Sequence, residues 1–423
     1  MPGKIVNGAT AVLTRTRNEQ MPCHDRRFVT LAGTCYKRKR AKTANAMTIA
    51  RRRMLIVLCC LCTISIVWAD NGFFTQARVG YRYQFPRDHG SHDRFRTEWW
   101  YYTGNLVAKG GRSFGYQLTF FRRGIPPEEV ETLPSKWSIT QLYLAHFAVS
   151  DLDTGRFRYK ERLSRAAIGK AGADGDRLHV WIDRWRVEAM DRDVAVPSGE
   201  KHILEASDGD LSIVLTVVPE KPLIIHGTGG ISRKGAAPEH ASHYYSFTRL
   251  ATTGRITIGD ESFEVTGTTW MDHEFGSADL SPDLVGWDWF SLQMDDHTEL
   301  MLYRLRRADG SADPASSGTF VDREGQGHAL SVNDFTLEPI SFWTSPVSKT
   351  RYPQKWRLAI PSKHLSLELI PRMAEQELRT DRSTQVTYWE GAIEGRGTSG
   401  GTPITGFGYM ELTGYAERFS KKL

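Results

Sequence analysis

Short runs of aromatic and β-branched residues recur along this chain in an order that repeats once. Such runs, bounded by Gly, Asp or Pro, predict β-strands, and long amphipathic helical periods are absent. Three pairs of segments correspond in the same order: residues 98–102 and 117–123 with 287–290 and 299–307, residues 185–187 and 211–219 with 356–358 and 365–371, and residues 263–267 with 410–414. Three pairs in order indicate a duplication. We therefore predict an all-β protein of two consecutive antiparallel barrels, because closing a sheet removes its exposed edges.

The segment 276–286, which lies between the two halves, has the composition of a turn-rich linker. We place the domain boundary there. The N-terminal barrel domain is expected to span residues 70–278 and the C-terminal barrel domain residues 279–423.

The first 69 residues differ in composition from the rest of the chain. They contain 13 of the 55 lysines and arginines, 2 of the 49 acidic residues and all 5 cysteines. Residues 70–423 are therefore mildly acidic and give no support for binding to nucleic acid. Because they lack cysteine, they also exclude a disulfide, a thiol nucleophile or a thiolate metal site.

The leader has the pattern of a secretory signal. Three arginines at 51–53 precede an apolar run of 14 residues, 54–67, and Val67 and Ala69 are the small residues that a signal peptidase reads. A membrane anchor is the alternative, but the run is shorter than the roughly 18 to 20 residues that cross a bilayer. We interpret residues 47–69 as a cleaved signal peptide and residues 1–46 as a mis-assigned start or a disordered extension. The mature protein is expected to begin near Asp70 and to be periplasmic or secreted, with no stable transmembrane anchor.

Four motifs carry a family resemblance: residues 85–90 (FPRDHG), 96–106 (RTEWWYYTGNL), 242–246 (SHYYS) and 267–276 (GTTWMDHEFG). They resemble the exported lipocalin-like family grouped with carotenoid 1,2-hydratases (hydroxyneurosporene synthases) and AttH-type proteins. The resemblance runs from about Arg78 to the C-terminus. It implies two lipocalin-like barrels and a cavity for an apolar ligand between or within them. Some members are known only as secreted proteins beside ABC exporters, so family membership does not determine the reaction.

The resemblance also implies a site. In the hydratases a His-x-Trp pair and a Tyr-x-Asp pair are thought to form it, and the matching segments here contain His243 with Tyr245 and Trp270 with Asp272. Relative to the hydratase motifs, the His and the Asp are the same, whereas Tyr stands here where the hydratases have Trp, and Trp where they have Tyr. Residues two apart on a strand share a face, so Trp270, Asp272 and Glu274 would point one way and His273 the other.

This set suits hydration of an isolated carbon–carbon double bond. Asp272 would protonate the alkene, since a carboxyl group among aromatic rings has a raised pKa. Trp270 and Tyr245 would stabilise the carbocation, and His243 would position or deprotonate the water. For Asp272, a buried structural hydrogen bond is an equally weighted alternative. No cofactor and no metal is required.

Further residues are candidates for ligand contact, each with a structural alternative: Glu98, Trp100, Trp287, Trp289 and Glu274. The tryptophans would otherwise fill the barrel cores, and Glu98 would otherwise pair with an arginine such as Arg122. Glu274 is expected nearer the cavity rim than Asp272, and His273 to form a structural hydrogen bond away from Asp272.

The loop histidines His89 and His92 raise the question of a metal site. They lack a third ligand at a recognisable spacing, so we expect them to be solvent-exposed. Serine-hydrolase and nucleotide-binding motifs are absent.

Two functions therefore stay open. One is an enzyme that adds water to a polyene or terpenoid, or performs a related isomerisation or cyclisation. The other is a noncatalytic carrier of a lipid for an ABC export system. In either case the partner is an apolar small molecule.

Overall fold

The computed structural model describes residues 73–129, 139–190, 200–277 and 280–419. The predicted signal peptide, the extension before it and the boundary at residues 278 and 279 lie outside the described residues. The described residues form strands and short 3-10 helices, at Arg87–His89, Pro127–Glu129 and Pro361–Lys363, and contain no α-helix. None of these helices is long and apolar enough to span a membrane.

The first sheet comes from the N-terminal half of the described chain. Its strands are β1 Thr97–Ala108, β2 Ser113–Gly124, β3 Gln141–Asp151, β4 Arg156–Arg165, β5 Ala171–Ala173, β6 His179–Ile182, β7 Trp185–Ala189, β8 His202–Asp208, β9 Leu211–Pro219, β10 Ile224–Ile225, β11 Ser232–Arg233, β12 Ala241–Ile258 and β13 Glu261–Gly276. They follow the order β4-β3-β2-β1-β13-β12-β9-β8-β7-β6-β5, and β10 and β11 also pair with β12. The ends curl together where β4 approaches β6, so the sheet is a nearly closed barrel.

The second sheet comes from the C-terminal half. Its strands, with one separate hairpin of β19 and β20, are β14 Leu284–Met294, β15 Glu299–Arg307, β16 Ser317–Val321, β17 Gly327–Ser331, β18 Thr336–Pro339, β19 Phe342–Thr344, β20 Arg351–Pro353, β21 Trp356–Ile360, β22 Leu365–Pro371, β23 Glu377–Arg379, β24 Thr387–Ser399 and β25 Thr402–Leu412. Their order is β17-β16-β15-β14-β25-β24-β22-β21-β18, and β23 pairs with β24. The prediction of an all-β fold of two lipocalin-like barrels is confirmed.

The two sheets repeat one topology. The order β3-β2-β1-β13-β12-β9 in the first corresponds to β16-β15-β14-β25-β24-β22 in the second. The segments 98–102 and 287–290 lie on the matching strands β1 and β14. The strands that begin at Trp185 (β7) and Trp356 (β21) do not occupy the same position in their sheets. In the first sheet β8 lies between β7 and β9, whereas in the second sheet β21 pairs directly with β22. The similar sequence segments therefore indicate the duplication, but they do not pair every strand of the first barrel with its counterpart in the second.

Apolar side chains of the two barrels form three large clusters, one inside each barrel and one between the barrels. Trp100, Tyr102 and Met271 belong to the core inside the first barrel, while Phe290 and Trp356 lie in the core of the second. The alternate residues of the same strands meet in a third cluster between the barrels: Tyr101, Tyr244, Trp270, Leu284, Trp289, Met301, Tyr303, Leu305, Ala392 and Tyr409. Because the period of a strand is two, β1 and β13 supply one face to a barrel core and the other to the interface.

Candidate functional site

A cavity of about 680 Å³ lies between the two barrels. Strands β1, β12 and β13 form one wall, and β14, β15 and β25 form the other. Its aromatic lining consists of Trp99, Tyr101, Tyr244, Trp287, Trp289, Tyr303 and Phe419. The volume and the apolar walls with a few polar groups are those of a small-molecule site.

The predicted four-residue site does not assemble, because the two segments of β12 and β13 pair in a register that separates it. Ser246 lies opposite Asp272, and Tyr245 lies opposite His273. Directly opposed residues project from the same face of an antiparallel pair. Asp272 therefore shares its face with Tyr244, and the prediction that His243 and Tyr245 converge with it is wrong.

His243 and Tyr245 instead face the interior of the first barrel. The ring of His243 lies 4.4 Å from that of Tyr81. The Tyr245 hydroxyl is 2.7 Å from His89 Nδ1 and 2.8 Å from His273 Nδ1. Neither residue lines the cavity between the barrels.

Two other predicted ligand contacts also belong to the first barrel. Trp100 is buried in its core and donates its indole N–H to the carbonyl of His89 at 3.1 Å. Glu98 is fully buried and pairs with Arg122, with 2.9 Å between Oε2 and Nε. The ion-pair alternative for Glu98 therefore holds, and its assignment to the ligand site is wrong, as is that of Trp100.

The expectation that His89 and His92 are solvent-exposed is wrong, because the loop before β1 folds back over the barrel. Both residues are buried. His92 Nδ1 lies 2.7 Å from Glu98 Oε1, and His273 Nε2 lies 2.9 Å from the same oxygen. His273 thus forms the structural hydrogen bond predicted for it.

His92, Glu98 and His273 bring a third potential ligand to the histidines, since their ligand atoms lie within 4.8 Å of one another. Both imidazoles, however, hydrogen-bond the same carboxylate oxygen, and the guanidinium of Arg122 contacts the other. These contacts form a buried hydrogen-bond network around Glu98 that engages both of its carboxylate oxygens. The network links the loop before β1 with strands β1, β2 and β13.

The remaining predicted residues are found at the interface between the barrels. Asp272, Glu274, Trp287 and Trp289 line the cavity. Trp270 packs in the interface cluster and donates its indole N–H to Asp272 Oδ1 at 2.6 Å. Of the predicted site residues, the structure therefore brings these four to one cavity and places Trp270 beside it.

Asp272 is held by neutral donors. Besides Trp270, the Tyr244 hydroxyl donates to Oδ2 at 2.9 Å, and the Ser246 hydroxyl contacts Oδ1. Ser246 is in turn 2.7 Å from His226 Nε2. Among the described residues no cation forms an ion pair with Asp272.

Burial raises the pKa of Asp272 to about 7, and the three hydrogen bonds only partly oppose this effect. The charge of Glu274 raises the pKa further. A carboxyl group that is still partly protonated at neutral pH is able to donate a proton into the cavity.

One end of the cavity is more polar. Lys234 Nζ lies 2.9 Å from Glu274 Oε1, and Ser242 donates to the same oxygen at 2.5 Å. The Glu274 side chain is 23% exposed, whereas Asp272 is buried, so Glu274 is nearer the rim, as predicted. Lys234 also lies 4.6 Å from the centre of the Tyr303 ring.

Two acids of the second barrel were not among the predicted site residues. Glu411 on β25 lines the cavity, and Glu390 lies directly opposite it on β24. Burial first, and then the charge of Glu411, raise the pKa of Glu390 well above its ordinary value. The segment 410–414 is recognisable in the sequence as part of the repeat, but nothing in a single sequence shows that its Glu faces Asp272 across an interface.

Two barrels joined by an aromatic cavity with buried acidic residues define a lipocalin-like fold with a candidate small-molecule site. The family model described as AttH-like matches residues 76–415, so the chain belongs to the AttH-like family. No curated protein matches the sequence.

Solved structures agree with this assignment. A candidate AttH protein from Nitrosomonas europaea is 32% identical, with a TM-score of 0.71, over 81% of this chain and 100% of that one. Kievitone hydratase from Nectria haematococca is 14% identical, with a TM-score of 0.59, over 82% of this chain and 97% of that one. The second likeness concerns the fold.

Proposed function

We propose that this protein is an exported enzyme that adds water to a carbon–carbon double bond of an apolar terpenoid or polyene. The observation that carries the proposal is Asp272, a buried carboxyl group in an aromatic cavity with neutral hydrogen-bond partners. A proton donor to carbon has to be protonated, and an arginine beside it would keep it ionised. The leader supports export, and the resemblance to carotenoid 1,2-hydratases supports a polyene substrate.

The first chemical step is protonation of the double bond by Asp272. The O–H bond of the carboxyl group breaks, a C–H bond forms, and the positive charge develops on the more substituted carbon. The aromatic faces of Tyr101, Tyr244 and Trp289 line the space in which this cation forms. Each face would stabilise it by about 1 to 2 kcal/mol in a site that excludes water. These residues replace Trp270 and Tyr245 in the predicted role.

The second step is capture of the cation by water. The water oxygen forms a bond to the cationic carbon and loses one proton, which gives an alcohol. The interior of the first barrel, with His243, does not reach this water, so the acceptor has to belong to the cavity itself.

Replacement of Asp272 with Asn tests the proposal. We expect hydration of lycopene, an acyclic polyene supplied in detergent micelles, to fall about 100-fold or more, because the variant keeps the shape but lacks the acid. Mass spectrometry of the extracted product measures the gain of one water. Binding of all-trans-retinol, measured by quenching of the cavity tryptophans, should be nearly unchanged.

The matched control is Asp260→Asn, in the exposed turn between β12 and β13. It should hydrate lycopene as the wild type does. Retinol binding without any turnover by the wild type would contradict the enzyme and favour the lipid carrier. Full activity of Asp272→Asn would contradict the acid role.

A further inference from the structure

A second, much smaller chamber adjoins the cavity between the barrels. Its volume is about 30 Å³, and it shares five lining residues with the large cavity: Trp99, Tyr101, Trp287, Glu411 and Phe419. A buried water needs about 10 to 15 Å³ of space measured in this way, with a water-sized sphere, and it needs two to four polar partners. The chamber is therefore of the size of one or two water molecules.

The chamber has polar groups suited to such a water. Glu390 and Glu411 both line it. Gln117 lines it as well, is buried, and its Oε1 has no hydrogen-bond partner among the described residues. A buried amide oxygen without a partner is costly, which indicates that it accepts a hydrogen bond from water.

Glu411 occupies the place in the second barrel that Asp272 occupies in the first. Asp272 lies opposite Tyr101 on β1, and Glu411 lies opposite Trp289 on the matching strand β14. On their other sides, Asp272 lies opposite Ser246, whereas Glu411 lies opposite Glu390. The first barrel thus contributes Asp272 and Glu274 to the cavity and the second contributes Glu411, but of these three only Glu411 has a carboxyl group directly opposite it on the neighbouring strand.

The carboxyl pair is linked to both barrels. The Tyr101 hydroxyl of the first barrel donates to Glu390 Oε1 at 2.5 Å. The Trp287 indole N–H donates to Glu411 Oε2 at 3.2 Å. These donors hold the two carboxyl groups at the boundary between the small chamber and the large cavity.

We propose that the small chamber supplies the water that adds to the substrate, and that Glu411 accepts the proton which this water loses. The inference rests on the proposed hydratase function and names its general base. When the water oxygen bonds to the cationic carbon, one O–H bond of the water breaks and its proton goes to the Glu411 carboxylate. Asp272 is left ionised and Glu411 protonated, so transfer of one proton back to Asp272 through solvent restores the starting state.

The ionisation of Glu411 suits this role. Burial raises its pKa to about 7. Several titratable groups face it, from both barrels: Glu390, Asp272, Glu274, Lys234, Tyr101 and Tyr388. Two adjacent carboxyl groups share one proton more readily than they both ionise, so the pair offers one anionic site near neutral pH.

The test compares Glu411→Gln with Glu390→Gln in pH profiles of lycopene hydration. In the wild type, activity should fall at low pH as Glu411 is protonated. Glu411→Gln should lower turnover by about 100-fold and abolish this acidic limb. Glu390→Gln leaves the base beside a neutral neighbour, which Glu390 itself already is when Glu411 ionises, so this variant should keep the acidic limb at the pH of the wild type.

Gln117→Met is the matched variant for the water, because it keeps the side-chain size and removes the amide oxygen. It should lower turnover about 10-fold, but the pH values at which activity falls on the acidic and the alkaline side should stay the same. A crystal structure of the wild type should contain an ordered water beside Gln117 Oε1, and that of Gln117→Met should lack it.

The outcomes separate this inference from the proposed function. If the wild type hydrates lycopene, Asp272→Asn does not, and Glu411→Gln keeps the acidic limb, the base assignment is overturned while the hydratase stands. An empty chamber in the wild-type crystal overturns the inference regardless of activity. If retinol binds but the wild type does not hydrate lycopene, the hydratase and the base role fall together.

Discussion

The two faces of strand β13 carry buried acid clusters that differ in one respect, the charge of their partners. On the inner face, His273 joins the network of Glu98, which is paired with Arg122. On the outer face, Asp272 accepts hydrogen bonds from indole and hydroxyl groups. The pKa of Glu98 is held well below its usual value in spite of burial, by Arg122 and the histidines, whereas burial raises that of Asp272.

The comparison shows that burial alone does not decide whether a carboxyl group is held ionised or keeps a proton near neutral pH. A cation fixes the charge on Glu98 and makes it part of the framework of the barrel. Neutral donors orient Asp272 without fixing its charge, which leaves a proton available at neutral pH.

Removal of the arginine that pairs with Glu98 should cause the largest loss of stability. Arg122→Leu removes the guanidinium and leaves Glu98 buried without its main countercharge, so we expect the free energy of unfolding to fall by about 3 to 5 kcal/mol. Urea denaturation at pH 7, followed by tryptophan fluorescence, measures the loss. A loss below about 1 kcal/mol would show that the histidines alone neutralise Glu98.

An effect of similar size, spread over several pH units, should appear in the pH dependence of stability that Asp272 and its uncharged partners cause. The pKa of Asp272 is higher in the folded protein than in the unfolded chain, so its contribution is complete below about pH 4 and is lost as the pH rises through about 7. Asp272→Asn removes this loss. Relative to the wild type, the free energy of unfolding of this variant should therefore rise by about 4 kcal/mol between pH 4 and pH 8. Urea denaturation at both pH values checks this, and parallel curves would contradict the raised pKa.

The finest test uses two adjacent tyrosines on opposite faces of β12. Tyr245→Phe removes the hydroxyl between His89 and His273, so it should lower the free energy of unfolding by about 1 to 2 kcal/mol and change lycopene turnover little. Tyr244→Phe removes a hydrogen bond that favours the ionised form of Asp272, so the alkaline limb of the activity profile should move to higher pH. Denaturation and pH profiles of both variants distinguish the two faces, and exchanged results would contradict the register.

Much of the fold was predictable because strand patterns are local. Alternating apolar residues, turn residues and the repeated order of segments led to two antiparallel barrels. Local pattern also placed Asp272 with Glu274 on one face and His273 on the other, since the period of a strand follows from backbone geometry. Trp287 and Trp289, which are two residues apart on β14, both line the cavity for the same reason.

The site was only half predictable, because pairing register and packing are not local properties. A shift of one residue between β12 and β13 exchanges Tyr245 for Tyr244 beside Asp272, and no feature of either strand alone sets that register. The position of Glu411 across the interface, and the burial of His89 and His92 under the loop before β1, depend on contacts between residues far apart in the chain. The sequence by itself determined which residues share a strand face, and the tertiary structure decided which faces meet.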